Sequence, residues 1–111
     1  MPSAEEAFRR LTIGDQALIG AMADASRSDP GVRRLDERTE ALLWIGALVA
    51  LDAPQSSYQA AVGAAQRAGA VLDDLLAVVA AVAGAVGSAR VSSAAPRIAL
   101  AAGYDVEAAL E

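Results

Sequence analysis

Apolar residues recur along this chain at the spacing of helical turns, and no stretch alternates between apolar and polar residues as a half-exposed strand does. Ser3 and Glu6 have the form of a capping box, which predicts a short helix ending near Leu11. Asp15 is placed to cap a second helix. The residues at 26–34, with Asp-Pro-Gly in their middle, are typical of a loop.

A third helix is predicted to start at Asp36, with Glu37 in the first turn, where the helix dipole favours negative charge. No polar side chain occurs between residues 41 and 51. A helix that is apolar all round is usually buried. We therefore expect the third helix to be the central element, buried on every side.

The sequence LDAPQSSYQAA at 51–61 leads from the third helix into a fourth. Asp52 and Gln55 have the spacing of a capping box, and Pro54 suits a first turn because it has no amide hydrogen. The predicted apolar stripe of the fourth helix consists of Tyr58, Ala61, Val62, Ala65 and Ala68. Gly69 is expected to end the helix in the left-handed conformation.

The last third of the chain predicts a fifth helix over about 72–87 and a sixth over about 88–102. Pro96 is expected to kink the sixth helix or to mark its true start. A last helical turn is predicted at 106–110. Together these elements predict an all-α protein, a compact bundle of about six helices in one domain covering residues 1–111.

Alanine is the dominant residue, with 29 of 111 positions. Small side chains let helices approach closely, but each buries little area, so the core of a single copy is expected to be thin. Self-association would supply the missing burial. The partner that composition indicates is therefore a second copy of the same chain.

The charge balance is acidic, with 9 basic and 14 acidic residues and a net charge of −5. Binding to a phosphate backbone needs clustered cations, so nucleic acid is not an expected partner. The chain has no cysteine and no histidine, which excludes disulfides, thiol redox chemistry and metal sites built from these residues. No cofactor and no metal is expected.

The longest uncharged run, at 75–89, is shorter than the roughly 20 apolar residues that a membrane span needs. The N-terminal segment MPSAEEAFRR is polar and acidic, whereas a signal peptide begins basic and then becomes apolar. We therefore expect a cytoplasmic protein without a membrane partner.

Three segments in this order carry a resemblance to a known family: LDERTEALLWIGALVAL at 35–51, AAQRAGA at 64–70 and LDDLLAVVAAVAG at 72–84. The chain resembles the carboxymuconolactone decarboxylase and alkylhydroperoxidase D-like family over about residues 35–102. The resemblance implies helical protomers that assemble as homotrimers or homohexamers. It also implies an active site near the first turns of the helix that follows the link at 51–55.

The residues that the family uses for chemistry are replaced here. The redox branch has Cys-x-x-Cys with a histidine four residues later, and the decarboxylase branch also relies on that histidine. Counted back from Gly69, these places fall on Pro54, Ser57 and Ala61. Serine is a weak nucleophile without an adjacent base, and the chain has no histidine or lysine to serve as one. The standard peroxidase and decarboxylase reactions are therefore not expected.

A few side chains near the implied site remain as candidates. The family's glutamate falls on Ala41, next to Glu40, and weak candidates for catalysis are Tyr58, Ser57 and Glu40. A small-molecule pocket would be lined by Trp44, Ser56, Ser57 and Tyr58. Ordinary structural roles stay open for each of them, helix capping for the serines and core packing for the two aromatic residues.

The sixth helix carries Arg90, Ser93 and Arg97 on one face, at positions i, i+3 and i+7. These residues could clamp a carboxylate, pair with acids across a subunit boundary, or be solvated, and the last two alternatives are favoured.

Two functional hypotheses follow from the sequence. The first is an oligomeric protein of this family that binds a small organic acid or aromatic compound, with a non-thiol lyase-type activity as an option. The second is a non-catalytic assembly or interaction protein on the same fold. An open pocket would favour the first hypothesis, and a closed, alanine-packed interior the second.

Overall fold

The computed structural model describes residues 3–24, 34–104 and Val106. These residues form six helices and contain no strand, which confirms the all-α prediction: α1 (Ala4–Thr12), α2 (Gln16–Ala23), α3 (Glu37–Leu51), α4 (Gln55–Arg67), α5 (Leu72–Val86) and α6 (Ser88–Ala101). Most of the predicted loop at 26–34 and of the predicted last turn at 106–110 lies outside the described residues. The chain divides into two compact units, Met1–Leu35 and Asp36–Glu111.

The first unit contains α1 and α2, and both helices start where the sequence predicts. The Ser3 hydroxyl accepts a hydrogen bond from the Glu6 amide at 3.2 Å. The Asp15 carboxylate accepts from two first-turn amides of α2 at 3.1 and 3.3 Å, and Arg10 Nε donates to it at 2.7 Å. The hydrogen bond from Arg10, followed by the amide of Leu18, lowers the pKa of Asp15.

The second unit is built around α3, which packs against α4, α5 and α6. Helix α6 also packs against α4 and α5, which closes the bundle. Its core consists of Ala41, Ile45, Leu48, Val49, Ala53, Tyr58, Ala61, Val62, Ala65, Ala70, Leu75, Ala94 and Ile98. Six of these thirteen residues are alanine, so the helices lie close together around a small number of larger side chains.

Helices α3 and α5 pack closely against each other at Gly46. A Cβ atom at this position would lie 3.2 Å from Val82 Cγ1 and 3.6 Å from Val78 Cγ1. The first distance is shorter than an ordinary carbon–carbon contact. Glycine at position 46 therefore sets how closely α5 approaches α3.

The prediction that α3 is buried on every side is wrong. Its buried side chains recur at the spacing of one helix face, where the three neighbouring helices pack. The opposite side is exposed, and we call it the outer face of α3: Leu43, Trp44, Ala47, Ala50 and Leu51. Leu43, Trp44 and Leu51 are 59%, 66% and 74% exposed. Because the three neighbouring helices all pack on one side of α3, its other side stays exposed even though the residues there are apolar.

The predicted capping box at Asp52 and Gln55 is also wrong. Asp52 ends α3 in the left-handed conformation (φ 51°, ψ 51°), and the Ala53 amide donates to the Leu48 carbonyl at 3.1 Å. The residue that precedes α4 is Pro54, which offers no capping side chain. Because α3 runs to Leu51, Asp52 is used to reverse the chain, and its carboxylate is directed elsewhere.

Other predicted helix ends are confirmed. Asp36 precedes α3, and its carboxylate accepts from the Thr39 amide at 2.9 Å. Gly69, just after α4, has a φ of 95°, a left-handed value that glycine adopts at little cost. Pro96 lies inside α6 and therefore does not mark the start of that helix.

The start of α5 is held by Asp74, whose carboxylate accepts from the Val71 amide at 2.8 Å and pairs with Arg38 of α3 at 2.6 Å. The Val71 amide and then Arg38 lower the pKa of Asp74 below its usual value of 3.8. A carboxylate with a lowered pKa in the folded state stabilises the fold above its unfolded pKa and loses this effect as pH falls through the folded value.

We therefore expect the free energy of unfolding to fall as the solution is acidified below about pH 4. Urea denaturation at a series of pH values measures this dependence. The Asp74→Asn variant should show a shallower dependence, because one of the titrating groups is gone. An unchanged acid profile in this variant would mean that Asp74 does not contribute.

Candidate functional site

Polar groups from distant parts of the second unit meet where the link between α3 and α4 lies against α6. Ser93 Oγ donates to Asp52 Oδ1 at 2.8 Å. Arg97 Nη1 lies 3.5 Å from the same oxygen and donates to the Ala53 carbonyl at 2.7 Å. We call Asp52, Ser93 and Arg97, together with Tyr58 in the first turn of α4, the link–α6 cluster.

Local structure explains why these groups meet. Ser93 and Arg97 are four residues apart on α6, so they lie one above the other on the same helix face. Asp52 is held at the end of α3 by backbone hydrogen bonds, which leave its carboxylate free to reach α6. The Gln55 side chain donates to the Arg97 carbonyl at 2.8 Å and ties the start of α4 to the same turn of α6.

Tyr58 brings the cluster into contact with the core. Its side chain has no exposed surface, and its hydroxyl has no hydrogen-bond partner among the described residues. Burial raises the pKa of Tyr58; the charge of Arg97 acts in the opposite direction, and the charge of Asp52 in the same direction. The hydroxyl therefore stays protonated at neutral pH and is available as a hydrogen-bond donor.

The cluster combines hydrogen-bond donors with one carboxylate, that of Asp52. Arg97, Ser93 and Tyr58 all offer donors, and the two partners of the ion pair are partly exposed, at 36% for Arg97 and 49% for Asp52. An exposed ion pair of this kind contributes little to stability. The base next to Ser93 is the Asp52 carboxylate, which is weak, and the chain has no histidine or lysine to activate Ser93 as a nucleophile.

The candidates proposed from sequence occupy different environments. Ser56 is exposed, Ser57 and Glu40 are partly buried, and Tyr58 is completely buried. Trp44 is two-thirds exposed on the outer face of α3, so in a single chain it does not enclose a cavity. The structure thus brings Tyr58 towards Arg97 and Asp52, and the predicted pocket with Trp44 as a wall stays a prediction.

The cluster brings together Asp52 of the link and the Ser93–Arg97 face of α6, which the sequence analysis treated as separate features. The shared face of Ser93 and Arg97 was predicted, but solvent or an acid of another subunit was the favoured partner. In the structure the acid is Asp52 of the same chain, and Arg90 is exposed. The pairing was missed because Asp52 was assigned to the start of α4, more than 40 residues from Arg97 along the sequence.

Neither a metal site nor a membrane-spanning helix is seen in the described parts of the chain. Residues 3–24 and 34–104 contain no group of three acidic, histidine or cysteine side chains that could hold a metal ion. Within the same ranges, no helix has the combination of length and apolar character that crossing a bilayer requires.

Comparison of the chain with protein-family models, with curated proteins and with solved structures yields no match. The resemblance to the carboxymuconolactone decarboxylase and alkylhydroperoxidase D-like family therefore stays a prediction, carried by the three sequence segments quoted above.

Proposed function

We propose that this chain is a divergent protein of the carboxymuconolactone decarboxylase and alkylhydroperoxidase D-like type that acts as a self-associating, cytoplasmic helical protein. Its assembly would be a homotrimer or homohexamer. In this proposal the family's thiol and histidine chemistry has been lost, and function depends on the surfaces that the helices present. The outer face of α3 is the observation that carries the proposal.

Large apolar side chains are exposed on two neighbouring helices. Besides those on the outer face of α3, Leu72 and Leu76 of α5 are 52% and 67% exposed. No charged residue occurs at 41–51 of α3 or at 75–86 of α5. Monomeric proteins rarely leave extended apolar surface in water without an interaction that covers it.

A second copy of the chain fits this surface better than a charged partner does. The outer face of α3, and the exposed part of α5 from Leu76 onwards, lack the charged side chains that would select an acidic or basic surface. A symmetric interface brings the same apolar patch of two copies together. The small side chains Ala47 and Ala50 of α3 would let the partner helix approach closely.

The loss of the family chemistry is supported by the residues at the expected positions. Ala61, at the place of the histidine, is buried in the core and has no polar atom in its side chain. Ser57, at the place of a cysteine, has no imidazole or amine nearby, because the chain contains no histidine or lysine. Binding and assembly remain as functions that these residues support.

Binding of a small organic acid is the second candidate function. The protonated, unpaired hydroxyl of Tyr58 beside the charge of Arg97 favours it. The lining proposed from sequence, with Trp44, Ser56, Ser57 and Tyr58, would need a second copy to cover Trp44. Under this proposal an aromatic ligand at that place would change the fluorescence of Trp44, the only tryptophan.

Light scattering tests the self-association. We expect a mass of three or more protomers at micromolar concentration for the natural sequence. Trp44→Glu should weaken association by about 3 kcal/mol or more, which is roughly a hundredfold, because it buries an unpaired charge in the interface.

The control for this experiment is Leu100→Glu, which adds the same charge at a half-exposed position of α6. It should keep the mass of the natural protein. A natural chain that scatters as an 11.2 kDa monomer would overturn the proposal. Equal dissociation by both variants would show that added charge, and not the outer face of α3, controls association.

A further inference from the structure

The link–α6 cluster holds one carboxylate, and its donors are only partly used. Asp52 Oδ1 accepts a hydrogen bond from Ser93 Oγ at 2.8 Å. The distance from Arg97 Nη1 to the same oxygen is 3.5 Å, which is long for a charge-assisted hydrogen bond. A guanidinium has five N–H donors in a planar fork that matches both oxygens of a carboxylate. The contact between Arg97 and Asp52 therefore uses little of what Arg97 offers.

A further donor lies at the inner end of the cluster. The Tyr58 hydroxyl is completely buried, and no described residue accepts a hydrogen bond from it. Leaving such a group unpaired is unfavourable, because its hydrogen bond to water is lost on burial and not replaced. Gln55, three residues before Tyr58 on α4, donates to the Arg97 carbonyl at 2.8 Å, so the first turn of α4 and this turn of α6 lie against each other.

We propose that Arg97, Ser93 and the Tyr58 hydroxyl form a binding site for a small carboxylate, and that the Asp52 side chain occupies part of this site. A ligand carboxylate takes the place of the Asp52 carboxylate on Arg97 and Ser93. Its second oxygen accepts the hydrogen bond that the Tyr58 hydroxyl offers. No covalent step is involved, and Asp52 acts as an internal competitor of the ligand.

The backbone around Asp52 is suited to this exchange. The left-handed conformation of Asp52 closes α3 through the amides of Asp52 and Ala53, which donate to carbonyls of the last turn. None of these hydrogen bonds uses the Asp52 carboxylate. Because that side chain is half exposed, its carboxylate can rotate into water while the end of α3 stays formed.

The ligand is a carboxylate and not a larger oxyanion, because Ser93 and Arg97 already contact a carboxylate, that of Asp52. The ligand must also be small, because the Tyr58 side chain is completely buried in the alanine-rich core of the bundle. The site lies within one chain, so it is independent of the self-association proposed above.

Acetate is the probe, and acetamide is the neutral probe of the same shape. Binding is followed by two-dimensional amide NMR of the full chain, with chloride as the ionic-strength control. We expect acetate to produce saturable shifts centred on Ser93, Tyr58 and Asp52, whereas acetamide and chloride do not.

Substitutions then separate the three roles. Asp52→Gly removes the competing carboxylate and suits the left-handed backbone, so acetate should bind about threefold to fivefold more tightly. Tyr58→Phe removes one neutral hydrogen bond and should weaken binding about fivefold. Arg97→Gln should weaken it at least about tenfold, and Arg97→Lys, which keeps the charge, by less. Arg90→Gln, the exposed control on the same helix, should bind acetate like the natural chain.

The proposal is overturned if acetate gives no saturable shift at Ser93 and Tyr58 in the natural chain. It is equally overturned if Asp52→Gly does not bind acetate more tightly, or if Arg97→Gln and Arg90→Gln behave alike. An unchanged affinity in Tyr58→Phe would remove the hydroxyl from the site. The amide spectra of all variants report whether the fold is retained, and Arg97→Lys provides the test should Arg97→Gln not fold.

Discussion

Tyr58→Ala is expected to lower the free energy of unfolding by about 4 kcal/mol, as judged from the cost of truncating large aromatic residues in protein cores. Among the described residues, Tyr58 is the largest of the completely buried side chains, in a core where six of thirteen residues are alanine. Small neighbours have few rotamers with which to fill the space that the ring leaves. Urea denaturation followed by circular dichroism measures the loss.

Tyr58→Phe is the matched control and should have the opposite or no effect. It keeps the ring in place and removes only a buried hydroxyl that has no partner. Removing such a group should leave stability unchanged or raise it by up to about 1 kcal/mol. If this variant is destabilised as much as Tyr58→Ala, the hydroxyl makes a hydrogen bond in solution. The same substitution is expected to weaken acetate binding, so stability and binding would change in opposite directions.

Gly46→Leu is expected to destabilise the second unit by about 3 kcal/mol through overpacking at the crossing of α3 and α5. Even a Cβ atom there would lie 3.2 Å from Val82 Cγ1, so we expect the larger leucine side chain to force the two helices apart. Thermal and urea unfolding measure the effect. A variant as stable as the natural chain would show that α5 can move away from α3 at little cost.

Gly84→Ala is the control for this substitution. Gly84 lies inside α5, and an added Cβ would have no atom within 4 Å apart from those of its chain neighbours and of the helix's own backbone. Alanine should therefore stabilise the helix by about 0.5–1 kcal/mol, because glycine loses more backbone freedom on folding. Gly46 is required for the close packing of α3 and α5, whereas Gly84 meets no packing requirement within a single chain.

Local chemistry explains why most helix boundaries could be predicted. Ser3, Asp15 and Asp36 each accept hydrogen bonds from first-turn amides, a contact formed within three residues along the chain. Gly69 ends α4 because its left-handed φ is cheap only for glycine. Such features need no knowledge of the tertiary fold, so the sequence alone determines them.

Asp52 shows where local reasoning fails. An aspartate between two helices can end the first or cap the second, and the pattern with Gln55 favoured the second. The choice depends on how far α3 continues and on the position of α6, which supplies Ser93 and Arg97. Both are tertiary properties. The burial of Tyr58 could be predicted from the apolar stripe of α4. The influence of the Arg97 and Asp52 charges on its hydroxyl could not.

The outer face of α3 shows a second limit. Residues 41–51 are apolar on all sides of the helix, and hydrophobicity does not tell whether the same chain or another one covers each side. In the structure, one side of α3 is covered by α4, α5 and α6 of the same chain. Whether another chain covers the exposed side depends on self-association, which the mass in solution measures.

The short link between α3 and α4 also bears on how this chain tolerates changes in length. Asp52, Ala53 and Gln55 each make hydrogen bonds to α6, and Ala53 is buried in the core. Most connections between helices lie on the surface and accept inserted residues at a small cost in loop-closure entropy. Here an inserted residue would shift every one of these contacts out of register, so the link is a poor place for a tag or a grafted peptide and behaves as part of the core.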